Sequence, residues 1–490
     1  MEKAIILGLD GASFNVLGPM VNAGILPGLE QAMKTGLHGN FRVNGNDRGW
    51  PTILTGRSAD ELGSFYYRML PGHYRATMTF DPAQISRKTF LDELSSIGKH
   101  VISVNTPLTY PAWEVNGIII SGAGGGTTPL LNKAVYPSSI LEKYNDLLKD
   151  YVLDLRQKNY TGRSPRLLMT DLLDMTRKRL ALVRALMENE NWDLFLATFV
   201  GMDRIQHWLW DALPYIGRGG DQLLTPMITS YYKLIDHFIA ETLEKYPDVN
   251  LLIVSDHGFQ PIDRYLYLND FLSTLGCYRK RHGLKSLLLR LTKSISRSLP
   301  QVKKQLIGKN PEGRSNLAFS LLADWRRTIA FGDRAPGIWL NSEQFPEGIF
   351  PSQGKEYELK RDIVMDRIRI ASKSKASFLA KISRREDIYT GVYAYMAPDI
   401  IIEPGPGIEI LAGQDSLRYK RYMKQRDIVT NWEILPRQRG GIHAHEAAFV
   451  GVGPKFSPGH IPANTPLFAF TQLILSIFGL ESNPALKNVP

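Results

Sequence analysis

Three short apolar runs in this chain each lead into residues suited to holding a cation. Ile5-Ile6-Leu7-Gly8-Leu9 ends at Asp10, and Leu251-Leu252-Ile253-Val254-Ser255 ends at Asp256-His257. Phe195-Leu196-Ala197-Thr198-Phe199 is followed by Asp203 and His207, whose four-residue spacing puts both on one face of a helix. Singly, each has a plainer reading: Asp10-Gly11 as a turn, Asp256-His257-Gly258 as a polar turn after a strand, Asp203 and His207 as a surface ion pair. Their agreement points elsewhere. In an open parallel sheet, ligands bind beyond the carboxyl ends of the strands, so these ends would converge on one edge. Carboxylates and neutral imidazoles are ligands that Zn²⁺ and Mn²⁺ accept. His443, in Gly440-Gly441-Ile442-His443 ahead of a further apolar run, is placed to close the site, with His445 as its rival.

These residues need a scaffold, and the chain predicts one. Ala4–Leu9, His100–Val104, Asn116–Ile120, Asp193–Phe199 and Asn250–Ser255 read as strands, because they are short apolar runs. Between them lie helical stretches: Pro27–Thr35 with a proline in its first turn, Leu167 to Asn189, a start at Met202, and Met227–Lys245. The alternation predicts an α/β fold with a mainly parallel sheet sandwiched by helices. Residues 270–411 differ in character, with a helical pattern over Glu356–Ile370 and short strand-like pieces at Gly337–Leu340 and Asp399–Ile402. The expected organisation is a catalytic core over 1–269, an inserted cap over 270–411, and a return to the core over 412–490. Glu446–Val452 reads as a last core strand and Pro466–Leu480 as a buried terminal helix.

Composition sets limits on the chemistry. With 43% hydrophobic and 22% charged residues the chain is ordinary globular protein, and its net charge of +11 suits an anionic ligand or surface. From Tyr278 to Pro311 there is no acid, while Arg279, Lys280, Arg281 and Lys285 begin a basic series. A solvated helix face is the simplest reading, since no nucleic-acid recognition motif accompanies the charge. The single Cys277 excludes an intrachain disulfide and a cysteine metal cluster, and fits a reducing, cytoplasmic setting. The apolar run after Lys3 is too short for a signal core, and no run is long enough to span a membrane.

The ordered set Leu9-Asp10-Gly11-Ala12, Asp203-Arg204-Ile205-Gln206-His207, Ser255-Asp256-His257-Gly258-Phe259 and Gly441-Ile442-His443, followed by Gly453-Pro454, resembles the alkaline phosphatase superfamily. It is most similar to the bacterial branch related to type I phosphodiesterases and nucleotide pyrophosphatases. Asn105-Thr106-Pro107, Tyr110-Pro111, Ser121-Gly122, Tyr136-Pro137, Asp324-Trp325, Glu386-Asp387-Ile388-Tyr389 and Pro398-Asp399 are similar too, so the resemblance covers nearly the whole chain. It implies two divalent metal ions, zinc or manganese. Asp203, His207 and His443 would hold one, and Asp10, Asp256 and His257 the other.

The resemblance fails at one position. The family's attacking Thr or Ser precedes a Thr-Gly, matched here by Thr55-Gly56, and counting back lands on Asn46. Trp50 matches an aromatic of the branch and supports that register. An amide carbonyl can ligate a metal but is a poor nucleophile, and Asn46 also suits a helix cap. Three readings follow: a metal-activated water attacks directly, Thr52 in a shifted loop attacks, or the site binds a phosphate ligand without turnover. Asp47 is a further candidate ligand or base.

The expected function is metal-dependent hydrolysis of a small phosphate ester, with a phosphodiester or nucleotide-like substrate preferred. The alternatives are a phosphomutase or sulfatase-like enzyme on the same core, disfavoured by the absence of an acceptor hydroxyl, Cys or Ser at Asn46, and a non-catalytic phosphate-binding protein.

Overall fold

A computed structural model describes residues 2–44, 47–69, 72–74, 76–77, 85–86, 88–122, 130–155, 164–216, 223–281, 323–333, 337–374, 378–412, 433–434 and 440–480. Asn46 and the basic series beyond Arg281 lie outside the described residues. The chain divides into two compact units. The first comprises Met1–Ser64, Phe80–Pro261 and Arg439–Pro490, and the second Phe65–Thr79 and Ile262–Gln438.

The first unit is built on a nine-stranded sheet. Its strands are β1 (Ala4–Leu9), β2 (Leu37–Arg42), β3 (Val101–Val104), β4 (Gly117–Ile120), β5 (Val135–Tyr136), β6 (Leu194–Phe199) and β7 (Asn250–Val254). β8 (Gly258–Pro261) and β9 (Gly441–Ala444) form a separate two-stranded antiparallel sheet, and β10 (Glu446–Val452) and β11 (Gly459–His460) complete the nine. The sheet order is β11-β2-β10-β7-β1-β6-β3-β4-β5. The run β7-β1-β6-β3-β4 is parallel throughout, whereas β10 is antiparallel to both β7 and β2. The predicted α/β fold with a mainly parallel sheet is therefore the fold observed.

The apolar runs are strands because both of their faces are buried. Along β1, Ile5, Leu7 and Leu9 join one hydrophobic core while Ala4 and Ile6 join another. β6 and β7 alternate in the same way, with Phe195, Ala197 and Ile253 on the first face and Leu196, Leu252 and Val254 on the second. Helices Phe14–Asn22, Pro27–Thr35, Pro165–Asn189, Gly201–Leu209 and Leu224–Lys245 cover the first face. Gly49–Thr55, Phe90–Ser96 and Ala469–Ile477 cover the second, so the terminal apolar segment is a buried helix as predicted. Leu37–Arg42 has neither an apolar run nor strict alternation to predict a strand. It becomes one because β10 offers it a full antiparallel ladder from Leu37–Gly451 to Arg42–Glu446.

The second unit has its own core, around Trp325, Trp339, Phe331 and Tyr74. Tyr74 stacks on Trp325 at 3.6 Å between ring centres and hydrogen-bonds Asn341 at 3.0 Å. A four-stranded antiparallel sheet joins Ala330–Phe331, Gly337–Leu340, Ile400–Pro404 and Leu379–Arg384, and helix Lys355–Ser374 extends the predicted 356–370 pattern. Buried Asp399 accepts from Tyr357 Oη at 2.5 Å, Arg385 at 3.0 Å and the Leu340 amide at 2.7 Å. In the basic series, Lys280 is paired with Asp270 at 2.6 Å.

Candidate metal centre

Every member of the centre belongs to the first unit, and each is delivered by the end of a strand or the element that follows it. Asp10 follows β1, Asp256 and His257 follow β7, and Asp203 and His207 sit on the nine-residue helix after β6. His443 lies on β9, directly opposite Phe259 of β8. Parallel pairing of β1 with β6 and β7 brings three of these ends level on one sheet edge. Gly11 turns the chain after Asp10 in the left-handed region (φ 74°), and a side chain there would strike Phe259. Gly49 permits another close approach: a Cβ there would stand 2.1 Å from the carbonyl oxygen of Asp256.

Asp10, Asp256, Asp203, His207 and His257 each have one atom tied to a fixed partner and another facing the cluster. Trp50 Nε1 donates to Asp10 Oδ2 at 3.0 Å, and the Gly11 amide donates to Asp256 Oδ1 at 3.3 Å. Arg204 takes Asp203 Oδ2. His207 Nδ1 lies 3.2 Å from the Gly441 carbonyl, and His257 Nδ1 lies 3.2 Å from that of Gly258. The other atoms face one another. Asp203 Oδ1 is 3.3 Å from His207 Nε2, 3.4 Å from His443 Nε2 and 3.8 Å from His257 Nε2. His207 Nε2 and His443 Nε2 are 2.9 Å apart, and His257 Nε2 is 3.4 Å from Asp256 Oδ2 and 3.8 Å from Asp10 Oδ1. At 2.9 Å the two Nε2 atoms need a proton or a cation between them. Two ligand groups have their coordinating atoms within 4.8 Å of one another: Asp203, His257 and His443, and Asp10, Asp256 and His257. The donor chemistry and the tethering of the outer atoms fit divalent metal ions.

Burial makes the groups interdependent. Desolvation, with Asp203 close by, pushes the Asp256 carboxyl up to about 8. Asp10 is raised well above its ordinary value by burial and by the charges of Asp256 and Asp203. Burial also acts to raise Asp203, but His207 and Arg204 outweigh it and hold that carboxyl well below the usual range. Burial drives the His443 imidazole down to about 3, aided by His257, and lowers His257 as well. For His207 the Asp203 charge overcomes desolvation, and the imidazole is raised.

The other candidates are placed as follows. His445 Nδ1 is 2.8 Å from the Val43 carbonyl, outside the cluster. Asp47 is buried and accepts from Asn44 Nδ2 at 3.2 Å. Thr52 is buried in helix Gly49–Thr55, where its hydroxyl donates to the Arg48 carbonyl at 3.1 Å. The roles of Trp50 as a donor to Asp10 and of Arg204 as a partner of Asp203 were not read from sequence. Arg204 at least carried a signal, a cation next to a candidate ligand.

The model of the type I phosphodiesterase/nucleotide pyrophosphatase family matches residues 4–427. The chain belongs to this family. It is thus a phosphoester hydrolase by class, within the alkaline phosphatase superfamily. No curated protein matches it by sequence. Among solved structures, human ectonucleotide pyrophosphatase/phosphodiesterase 5 is 14% identical with a TM-score of 0.51, covering 99% of this chain and 96% of its own. An inactive murine form of the same protein, in complex with AMP, is 13% identical with a TM-score of 0.50 over the same shares. Phosphonoacetate hydrolase from Sinorhizobium meliloti, in complex with phosphonoformate, is 14% identical with a TM-score of 0.51, covering 97% of this chain and 95% of its own. These likenesses are likenesses of fold.

Proposed function

We propose that this family member hydrolyses small phosphodiesters, nucleotide-like ones among them, in one displacement by water. Asp203, His207 and His443 would hold one divalent ion, and Asp10, Asp256 and His257 the other, with zinc or manganese suited to the nitrogen and oxygen donors. The bound ions supply positive charge for the attacking and leaving oxygens. The observation that carries the reading is the cluster itself, in which Nε2 atoms and carboxylate oxygens face one another while five of the six residues are tethered through their outer atoms.

Charge favours a diester. Three carboxylates against two divalent ions leave a net +1 among these groups, and Arg204 is offset by its ion pair with Asp154. A diester carries one negative charge and a monoester close to two at neutral pH, so the diester matches. Two observations support water as the nucleophile. The hydroxyls of Thr52 and Thr55 donate to the carbonyls of Arg48 and Pro51, at 3.1 Å and 2.7 Å, within their own helix. By the resemblance, Asn46 falls where the family has a hydroxyl, and it would offer only an amide there.

The test is the stereochemistry at phosphorus. Zinc- or manganese-loaded protein given a chiral phosphorothioate diester should invert configuration and leave no phosphorylated protein on quenching. Net retention with a phosphorylated Thr52 would refute the single displacement. Loaded protein without turnover on any ester would refute hydrolysis in favour of phosphate binding.

A further inference from the structure

The Asp203 carboxylate is held from outside the cluster by a charged partner. Its Oδ1 faces His207, His443 and His257, while its Oδ2 is taken by Arg204 Nη1. The other end of the guanidinium, Nη2, donates to Asp154 Oδ2 at 2.5 Å. Asp154 is itself fixed. Its Oδ1 accepts from the Leu155 amide at 2.7 Å, and the chain just before it is tied to helix Pro165–Asn189. Arg179 of that helix is fully buried and donates Nη2 to the carbonyls of Val152 and Leu153, both at 3.0 Å, and Nε to Tyr151 Oη at 3.3 Å.

A free carboxylate can present either oxygen or both to a cation. We propose that Arg204 is a positioning residue that makes Asp203 a one-oxygen ligand, and that Asp154, anchored through Arg179, holds Arg204 to that task. The guanidinium is suited to this because its planar fork binds two carboxylates at once, which an ammonium cannot do in fixed geometry. The inference rests on the two-ion reading of the cluster.

Charge and positioning predict different signs, which makes the inference testable. Arg204 is a cation beside a cation site, so by charge alone Arg204→Gln should tighten ion binding, whereas Asp154→Asn should weaken it. If positioning dominates, both variants weaken it. The experiment is calorimetric titration of metal-stripped full-length protein with Zn²⁺, with Co²⁺ absorption as a report on coordination and melting of the stripped protein as a check on folding. Wild type should bind two ions. In each variant one ion should weaken about 10–100-fold, the size typical of losing an outer partner of a ligand, with its Co²⁺ spectrum altered and the other ion unaffected. Tighter or unchanged binding in Arg204→Gln would overturn the inference. Equal weakening of both ions with a lowered melting temperature would overturn it too, since that marks a structural role. Arg204→Lys, which keeps the charge but loses the planar fork, keeps the test decisive if Arg204→Gln does not fold: charge alone predicts wild-type binding, positioning predicts weakening of the same ion. Wild type that binds no ion would remove the two-ion reading itself, an outcome distinct from failure in the variants alone.

Discussion

Stripping the metal from this protein should leave it progressively less stable as the pH rises from 6.5 to about 8, the reverse of what buried salt-bridged carboxylates give. The Asp256 carboxyl has an ordinary value of 3.8 and is pushed to about 8 by burial and by Asp203. Above 3.8 the unfolded chain releases this proton while the folded chain keeps it, so stability falls with rising pH until the folded group also titrates. Asp10, also raised, acts in the same sense. Between pH 3.8 and 6.5 these losses are opposed, because His443 and His257 are lowered from 6.5 and bind fewer protons folded than unfolded. Above 6.5 that opposition fades over about one pH unit, as those imidazoles become neutral in the unfolded chain too. Asp203, held low, is then ionised in both states, and His207, raised, adds a further loss as it gives up its proton.

For Asp256 alone, integrating from pH 6.5 to 8 at about 1.36 kcal/mol per unit, and allowing for the half-titrated endpoint, gives a loss of about 1.5–2 kcal/mol. Thermal and denaturant unfolding of chelator-treated protein at the two pH values would measure it. Asp256→Asn has no such proton to lose and should show a shallower decline by about that amount. Wild-type stability that is flat or rising across the window, or an Asp256→Asn decline as steep as wild type, would refute the reasoning. Restoring zinc should reverse the trend, because ions displace the protons on Asp10, Asp256 and His207 and so bind more tightly as pH rises.

Three other changes probe the same centre. Gly49→Ala places a Cβ 2.1 Å from the Asp256 carbonyl oxygen, so the helix must shift and the protein should lose about 1–3 kcal/mol of stability together with ion binding, checked by melting and metal content. Trp50→Phe removes the 3.0 Å donor to Asp10 Oδ2 and should weaken one ion about 10–100-fold in a metal titration while the Asp203 ion keeps its affinity. If Asn46 holds the family's nucleophile position, Asn46→Thr places a hydroxyl there and should yield a phosphorylated protein detectable by mass spectrometry of quenched reactions, which wild type should not.

The centre was legible in the sequence to the extent that its residues sit where strands end. β1, β6 and β7 are buried on both faces, so they announce themselves as mostly apolar runs, and the acids and imidazoles that follow such a run lie at the sheet edge. That is why Asp10, Asp256 and His257 could be placed together from residue order alone. Leu37–Arg42 could not be seen, because its strand character comes from a ladder to Phe449 and its neighbours, some four hundred positions away. The choice between His443 and His445 has the same origin. The pairing of Phe259 with His443 turns that imidazole toward His207, while His445 comes to rest on the Val43 carbonyl.

What the sequence hides most completely is the set of groups that hold the ligands still. Backbone partners such as Gly441 and Gly258 have no side chain to read. Asp154 stands fifty positions from Arg204 in an unremarkable segment, and nothing local connects it to Asp203. Its relevance exists only once Arg179 has fixed residues 152 and 153 against a helix. Relatives with the same six Asp and His positions but no Arg–Asp pair behind the second acid should, on this reasoning, bind the ion at that acid more weakly, other contacts being equal.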